Sequence, residues 1–167
     1  MVVRAKAATG TLSGGFHSGK RSPRQAANVE VHIAIVKAST RLMDEFSAIV
    51  KPVDLSLSQY NVLRILRGAG HDGLCREDIR ERLIAQVPDV TRLLDRLEQA
   101  GLVERARDKT DRRLVNTRIT HSGLDLLKKL DVPVNAAHQK QLGHLTRSEL
   151  RTLIDLLAKA REKGDEK

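Results

Sequence analysis

The sequence concentrates basic side chains in the nine residues from Arg105 to Arg113. Five of these residues are basic and two are aspartates. Like charges this close together repel each other, whereas a phosphate backbone or a narrow minor groove would attract them. The pattern therefore favours nucleic-acid binding, and a solvated charged turn is the alternative. The basic residues are Arg105, Arg107, Lys109, Arg112 and Arg113.

This basic segment lies between two predicted strands. Val103 leads into the first strand, and the second covers Leu114–Ile119. In the second, Val115, Thr117 and Ile119 share one face, the alternation that is typical of a half-buried strand. The sequence thus predicts a β-hairpin with a basic tip.

Two short helices are predicted before the hairpin. In the second, Val87–Ala100, Pro88 suits the first turn and Gly101 suits the C-terminal cap. The first helix covers Arg76–Leu83, and a link of a few residues near Ala85 joins the two. Two short helices with a tight link, followed by a basic hairpin, describe a winged helix-turn-helix. The second helix carries one apolar stripe, made of Val90, Leu93, Leu94 and Leu97.

The segment from Leu55 to Leu130 resembles the MarR family of bacterial transcription regulators. Five separate pieces carry the resemblance, and their order and spacing match the family. The pieces are LSLSQYNVLRIL (Leu55–Leu66), DIRERL (Asp78–Leu83), VTRLLDRLEQAGLVER (Val90–Arg105), DRR (Asp111–Arg113) and ITHSGLDLL (Ile119–Leu127).

The resemblance implies which residues contact DNA. In the family the helix after the turn reads the major groove, which here places Pro88, Asp89, Thr91 and Arg92 nearest the bases. We expect Arg92 to bind guanine or a phosphate, and Thr91 to bind a phosphate. Asp89 either accepts a hydrogen bond from cytosine or caps the helix.

The family's wing motif falls on Asp111-Arg112-Arg113. By that match Arg113 enters the minor groove, and Asp111 orients its guanidinium or braces the hairpin. Arg107 and Arg112 are expected to contact phosphates. Arg105 is expected to pair with Asp111 and so brace the wing rather than touch DNA.

Long helices are predicted on both sides of this region. A helix from Asn28 to Val50 carries two apolar heptad rows, a stripe broader than a small core needs. Further helices are predicted to start near residues 57 and 147, where Ser56-x-x-Gln59 and Thr146-x-x-Glu149 have capping-box spacing. Pro133 is expected to break or kink the helix between the hairpin and the C-terminus. We interpret the end helices as a homodimer interface; the alternative is that they cover the core of their own monomer.

The predicted fold class is therefore mainly α with a small β-hairpin wing (α+β). Its predicted parts are a disordered basic N-terminal arm (1–25), a dimerisation helix (26–54), the winged helix-turn-helix (55–120) and C-terminal dimerisation helices (121–167). The arm contains five basic residues, and residues 1–29 contain no acidic one. An arm that follows DNA is the functional alternative to simple disorder.

Composition limits the classes of function. A net charge of +9 suits a polyanionic partner, and only two phenylalanines, one tyrosine and no tryptophan argue against single-strand binding by base stacking. One cysteine, no apolar run of membrane length and no signal-peptide pattern indicate a cytoplasmic protein. No histidine pair has metal-ligand spacing, so we expect neither a metal nor another cofactor, and no enzyme.

The predicted function is a sequence-specific double-stranded DNA-binding regulator. It is expected to be a repressor that binds an inverted-repeat operator as a homodimer. By the resemblance, a small aromatic or phenolic effector binds between the dimer helices and the DNA-binding lobe, although its residues are unknown. The alternative is a winged helix for architectural DNA binding or protein contact. Cys75 is expected to replace a hydroxyl cap, and a thiol with a lowered pKa is the alternative.

Overall fold

The structure, a computed structural model, describes residues 22–107 and 115–162. The predicted fold class, mainly α with a small β wing, is confirmed. No helix in these two ranges is long and apolar enough to cross a membrane. The helices are α1 (Pro23–Val50), α2 (Leu57–Ala69), α3 (Arg76–Arg82), α4 (Val90–Gln99), α5 (His121–Leu142) and α6 (Arg147–Arg161). The strands are β1 (Leu74–Cys75), β2 (Val103–Arg107) and β3 (Val115–Ile119).

The chain divides into two compact units, with the boundary inside α1 after Ala38. In the first unit, α1 begins at Pro23, where the missing N–H of proline breaks no helical hydrogen bond. Ser22 caps this end, because its Oγ accepts from the Gln25 N–H at 3.3 Å and its own N–H donates to the Gln25 side chain at 2.9 Å. The predicted start at Asn28 is therefore wrong, as is disorder at residues 23–25. The rest of the predicted arm, residues 1–21, lies outside the described residues.

The second unit begins at Ser39 and contains the apolar core. The Ser56 capping box starts α2 at Leu57, as predicted, and fixes the face that α2 buries. Helices α3, α4 and α5 each pack against α2. Replacing a fully buried leucine or isoleucine of this core by alanine would lower the free energy of unfolding by about 2–5 kcal/mol. The core side chains below 2% exposure include Leu63, Leu66, Ile79, Leu94, Leu97 and Leu127.

The small sheet has the strand order β1-β3-β2 and is antiparallel throughout. The predicted hairpin is confirmed, with Val103 opposite Ile119 and Arg107 opposite Val115. Strand β1 was not predicted, and it adds Leu74 opposite Thr117. Gly73 precedes it at φ 72°, and a Cβ there would lie 2.6 Å from a β3 carbonyl oxygen. Only glycine fits this close approach of the two backbones.

The last two helices are positioned by their caps. Thr120 caps α5 by accepting from the Gly123 N–H at 3.1 Å, and its hydroxyl donates to the Gly101 carbonyl at 2.7 Å. The Thr146 capping box starts α6 at residue 147, as predicted. Helix α5 continues across Pro133, so of the predicted break or kink, the break is wrong. Burial of apolar residues before and after the proline offsets the one hydrogen bond it removes.

Candidate nucleic-acid interface

Helix α4 presents one apolar face to the core and one polar face to solvent. Val90, Leu94 and Leu97 are buried, whereas Thr91 and Arg92 are exposed. The two exposed residues lie in the first turn, where a helix entering a groove would approach the bases. Their roles as DNA contacts stay predictions.

The start of α4 differs from the prediction. Asp89 is the N-cap, with its Oδ1 accepting from the Arg92 N–H at 2.9 Å, so α4 begins at Val90 and not at Val87. Of the two alternatives for Asp89, the cap is the one observed. The prediction that Pro88 lies in the first helical turn is wrong, because it precedes the cap. Its exposed ring lies beside Asp89, at the end of a seven-residue link from α3.

A second basic side chain lies beside the first turn of α4. Arg76, the first residue of α3, donates from Nη1 to Thr91 Oγ1 at 3.4 Å and from Nη2 to Glu77 Oε1 at 2.7 Å. The hydrogen bond with Glu77 raises the pKa of Arg76 and lowers that of Glu77. The sequence assigned Arg76 no site role; its position as the first residue of the predicted helix was the available signal.

Cys75 caps α3 as predicted. Its Sγ accepts from the Asp78 N–H at 3.5 Å, the position that a serine or threonine hydroxyl takes in other helices of this chain. The side chain is half-buried between β1 and α3. The thiol therefore has a structural role at the start of the helix-turn-helix.

The hairpin brings one of the predicted basic contacts to the surface. Arg107 is exposed at the end of β2. The predicted wing residues Asp111, Arg112 and Arg113 lie outside the described residues, so their roles remain as the resemblance implies them.

Arg105 is held against α4. Its Nη2 donates to Asp95 Oδ1 at 2.6 Å and to Glu98 Oε2 at 2.5 Å, and its Nε donates to the same Glu98 oxygen at 2.8 Å. The hydrogen bonds that the guanidinium donates to Glu98, and then to Asp95, raise the pKa of Arg105. Arg105 thus braces the hairpin against α4. Its predicted partner Asp111 is not among the described residues.

A largely apolar cavity of about 190 Å³ lies behind the helix-turn-helix. Phe46 of α1 and His138 of α5 form one wall, with ring centroids 4.8 Å apart. Tyr60 and Arg64 of α2 lie at another, where the Arg64 guanidinium carbon is 5.8 Å from the tyrosine ring centre. Burial raises the pKa of Tyr60. Because four separate segments line the cavity, no single motif could reveal it.

The link between α3 and α4 forms the third side of the cavity. It contributes Leu83, Ile84 and Ala85, of which Ile84 is 76% exposed. A molecule in the cavity would therefore contact the segment that leads into α4. Within residues 22–107 and 115–162, no three His, Cys, Asp or Glu side chains are grouped so that they could hold a metal ion.

Known proteins are similar to this chain in sequence. A sequence profile of the MarR family matches residues 55–115. The regulator TtmR of Methylorubrum extorquens (strain PA1), described as an HTH-type transcriptional regulator, is 30% identical over 145 residues, which are 87% of this chain and 72% of TtmR. The chain therefore belongs to the MarR family.

Two solved MarR structures extend the comparison. The MarR transcription factor from Planctomyces limnophilus is 41% identical, with 77% of this chain and 93% of that one covered and a TM-score of 0.60. A mutant MarR from Escherichia coli, complexed with operator DNA, is 26% identical, with 84% and 99% covered and a TM-score of 0.72. These MarR relatives are named as transcription factors or regulators, not as enzymes.

Proposed function

We propose that this MarR-family protein is a sequence-specific, double-stranded DNA-binding repressor that acts as a homodimer. The main support is that α4 buries its apolar face while its first turn leaves Thr91 and Arg92 exposed. Arg107 is exposed on β2, the strand that follows α4. A helix for the major groove and a basic wing for the flanking backbone then belong to one compact unit. The likeness to a MarR bound to operator DNA supports this use.

A homodimer is supported by apolar surface that the single chain leaves uncovered. Helix α6 buries none of its residues, and its apolar Ile154 and Leu156 are 59% and 60% exposed. In the other unit, Val31 and Val36 of α1 are 57% and 50% exposed. Surfaces of this kind are typical of helices that pack against a second subunit. A two-fold dimer would present two α4 helices to successive major grooves, so we propose an inverted-repeat operator.

We propose that the cavity behind the helix-turn-helix receives a small aromatic effector. The rings of Phe46, Tyr60 and His138 offer stacking partners, and Arg64 offers a positive charge at the wall. These groups suit an aromatic acid or a phenol, and no cofactor is needed for DNA binding. Regulation requires that the ligand bind one of the DNA-competent and DNA-free conformations more tightly than the other. Acting on DNA, the protein would work in the bacterial cytoplasm.

Selection from a randomised duplex library tests the DNA-binding function. At about 150 mM salt, non-specific phosphate binding is suppressed and sequence-reading proteins retain their sites. We expect enrichment of an inverted repeat with half-sites about ten base pairs apart. In transcription assays, the protein should then lower transcription from a promoter that contains the repeat. Salt-labile recovery without any motif would instead indicate architectural binding and overturn the proposal.

The effector site is tested with a panel of substituted benzoates and phenols. We expect at least one to weaken operator binding, and Ser58→Phe, which fills the cavity, to abolish that response while DNA binding persists. Thr152→Phe on α6 adds the same ring away from the cavity and should keep the response. A response that survives Ser58→Phe would place the effector elsewhere.

A further inference from the structure

The wing is joined to the recognition helix through one arginine and two carboxylates. Asp95 and Glu98 lie three residues apart on α4, so both point towards β2, where Arg105 contacts them at 2.5–2.8 Å. The Arg105 side chain is 26% exposed, and the two carboxylate side chains are 40% and 38% exposed. We call these three residues the Arg105 clamp.

The Arg105 clamp holds the middle of β2. Across the sheet, Arg105 is opposite Thr117, which is 1% exposed and belongs to the buried base of the wing. Two residues further on, Arg107 is exposed at the end of β2. A tie at residue 105 therefore fixes how β2 lies against α4.

The charges of the clamp do not favour DNA binding by themselves. Two carboxylates more than neutralise one guanidinium, so the group adds no net attraction for a phosphate backbone. Both carboxylates also belong to the helix that would enter the groove. Partly exposed ion pairs contribute little to stability in general. The clamp thus needs a role other than attraction or bulk stability.

We propose that Arg105 is a positioning residue: with Asp95 and Glu98 it sets the separation of wing and recognition helix, so that both meet one operator half-site. This inference rests on the proposed DNA-binding function. It assigns specificity to a contact made within the protein. It also excludes Arg105 from direct phosphate contact, despite its place in the basic segment.

Three variants of the full chain test the clamp: Arg105→Met, the pair Asp95→Asn/Glu98→Gln, and all three changes together. Each is titrated with the duplex selected by the wild type and with a scrambled duplex, at several salt concentrations. We expect each to lose operator affinity about tenfold, the size of effect typical of coupled contacts, and the triple variant to lose no more than Arg105→Met. Affinity for scrambled DNA and the salt slope should stay the same, because no phosphate contact is removed.

Comparing Arg105→Met on the two duplexes decides between positioning and contact. If Arg105 itself bound phosphate, Arg105→Met would weaken binding to the operator and the scrambled duplex equally and reduce the salt slope, which would overturn the inference. Arg105→Lys, which keeps the charge without the planar fork, should recover only part of the selectivity, because one ammonium cannot hold both carboxylates in the same geometry.

A matched control separates the clamp from general loss of an ion pair. Arg67 pairs with Asp131 between α2 and α5 at 2.9 Å, with side-chain exposures of 36% and 40%, and Arg67→Met should leave selectivity unchanged. Thermal unfolding of every variant checks the fold. A wild type that selects no sequence overturns the proposed function and the positioning role together. A wild type that selects an operator, with clamp variants that select it equally well, overturns only the positioning role.

Discussion

The carboxylate of Asp89 accepts a hydrogen bond from the backbone N–H of Arg92 at 2.9 Å. This contact satisfies one of the free N–H groups at the start of α4 and places a negative charge at the positive end of the helix. The cap uses Oδ1 alone, so a contact with a base would be made by Oδ2. The residue that the sequence offered as either a cap or a base contact therefore serves the geometry of its neighbour.

Replacing Asp89 separates these two roles. We expect Asp89→Ala to lower the free energy of unfolding by about 1 kcal/mol, the usual cost of losing an N-cap. Asp89→Ser should restore most of it, because a serine hydroxyl caps equally well. Urea denaturation measures both, and a parallel selection experiment reads the operator motif. If the serine variant is stable yet prefers a different base, Asp89 contacts DNA in addition to capping.

Arg92 is the exposed side chain of α4 that we expect to contribute most to operator binding. Arg92→Ala should weaken operator binding by about 1–3 kcal/mol if the contact is to a base, and relax the preference at one position of each half-site. Fluorescence anisotropy with operator and scrambled duplexes makes the measurement. An equal loss on both duplexes would assign Arg92 to a phosphate.

The control for Arg92 removes the same charge elsewhere. Arg151 lies on α6, 78% exposed, with its Nε 3.5 Å from Asp155. Arg151→Ala should leave operator affinity unchanged within a factor of about two, since an exposed pair of this kind contributes little. A comparable loss from both variants would mean that overall charge, and not position, governs binding.

The sequence predicted the elements whose signals are local. Capping boxes place both partners three residues apart, so the starts of α2 and α6 could be read directly from Ser56 and Thr146. The start of α4 was harder, because Pro88 and Asp89 are adjacent and each is typical of a helix start. The structure resolves this competition in favour of the aspartate, since its carboxylate finds a backbone partner.

Features that depend on distant residues could not be predicted in the same way. Strand β1 has two residues, too few to show any period, and it exists because β3 lies beside it. The partners of Arg105 come from α4, seven and ten residues earlier in the chain, although Asp111 lies nearer in sequence. The cavity collects side chains from α1, α2, the α3–α4 link and α5.

The carboxylate of Glu45 should titrate below its ordinary range. Lys140 Nζ donates to Glu45 Oε1 at 2.8 Å and Gln141 Nε2 donates to Oε2 at 2.7 Å. These hydrogen bonds, with Lys140 the larger cause, lower the pKa of Glu45. A lowered folded-state pKa contributes stability above the unfolded pKa, and that stability is lost as pH falls through the folded value.

Carboxyl-detected NMR titration measures this pKa in the intact chain. Lys140→Ala should raise the Glu45 pKa towards its ordinary value, and Lys129→Ala, which removes a lysine from the same helix, should leave it unchanged. A Glu45 pKa that is the same in Lys140→Ala as in the wild type would contradict the ion pair between α1 and α5.

Helix α6 offers a direct test of the homodimer. Its apolar residues Ile154 and Leu156 are 59% and 60% exposed, and a two-fold interface would cover them. We expect Ile154→Glu/Leu156→Glu to convert a dimer into a folded monomer in sedimentation equilibrium, because buried unpaired carboxylates are strongly unfavourable. Thermal unfolding should show a retained helical core, since the helix-turn-helix core does not depend on these two side chains.

The DNA readout distinguishes loss of the dimer from damage to the DNA-binding surface. A monomer should bind a single half-site as the wild-type protomer does, but lose the added affinity that two linked sites give on the full inverted repeat. Arg151→Glu changes the net charge of α6 by the same amount while every apolar side chain stays in place, so it should remain dimeric. If the double variant stays dimeric too, the subunits associate through another surface, and α6 covers its own chain instead.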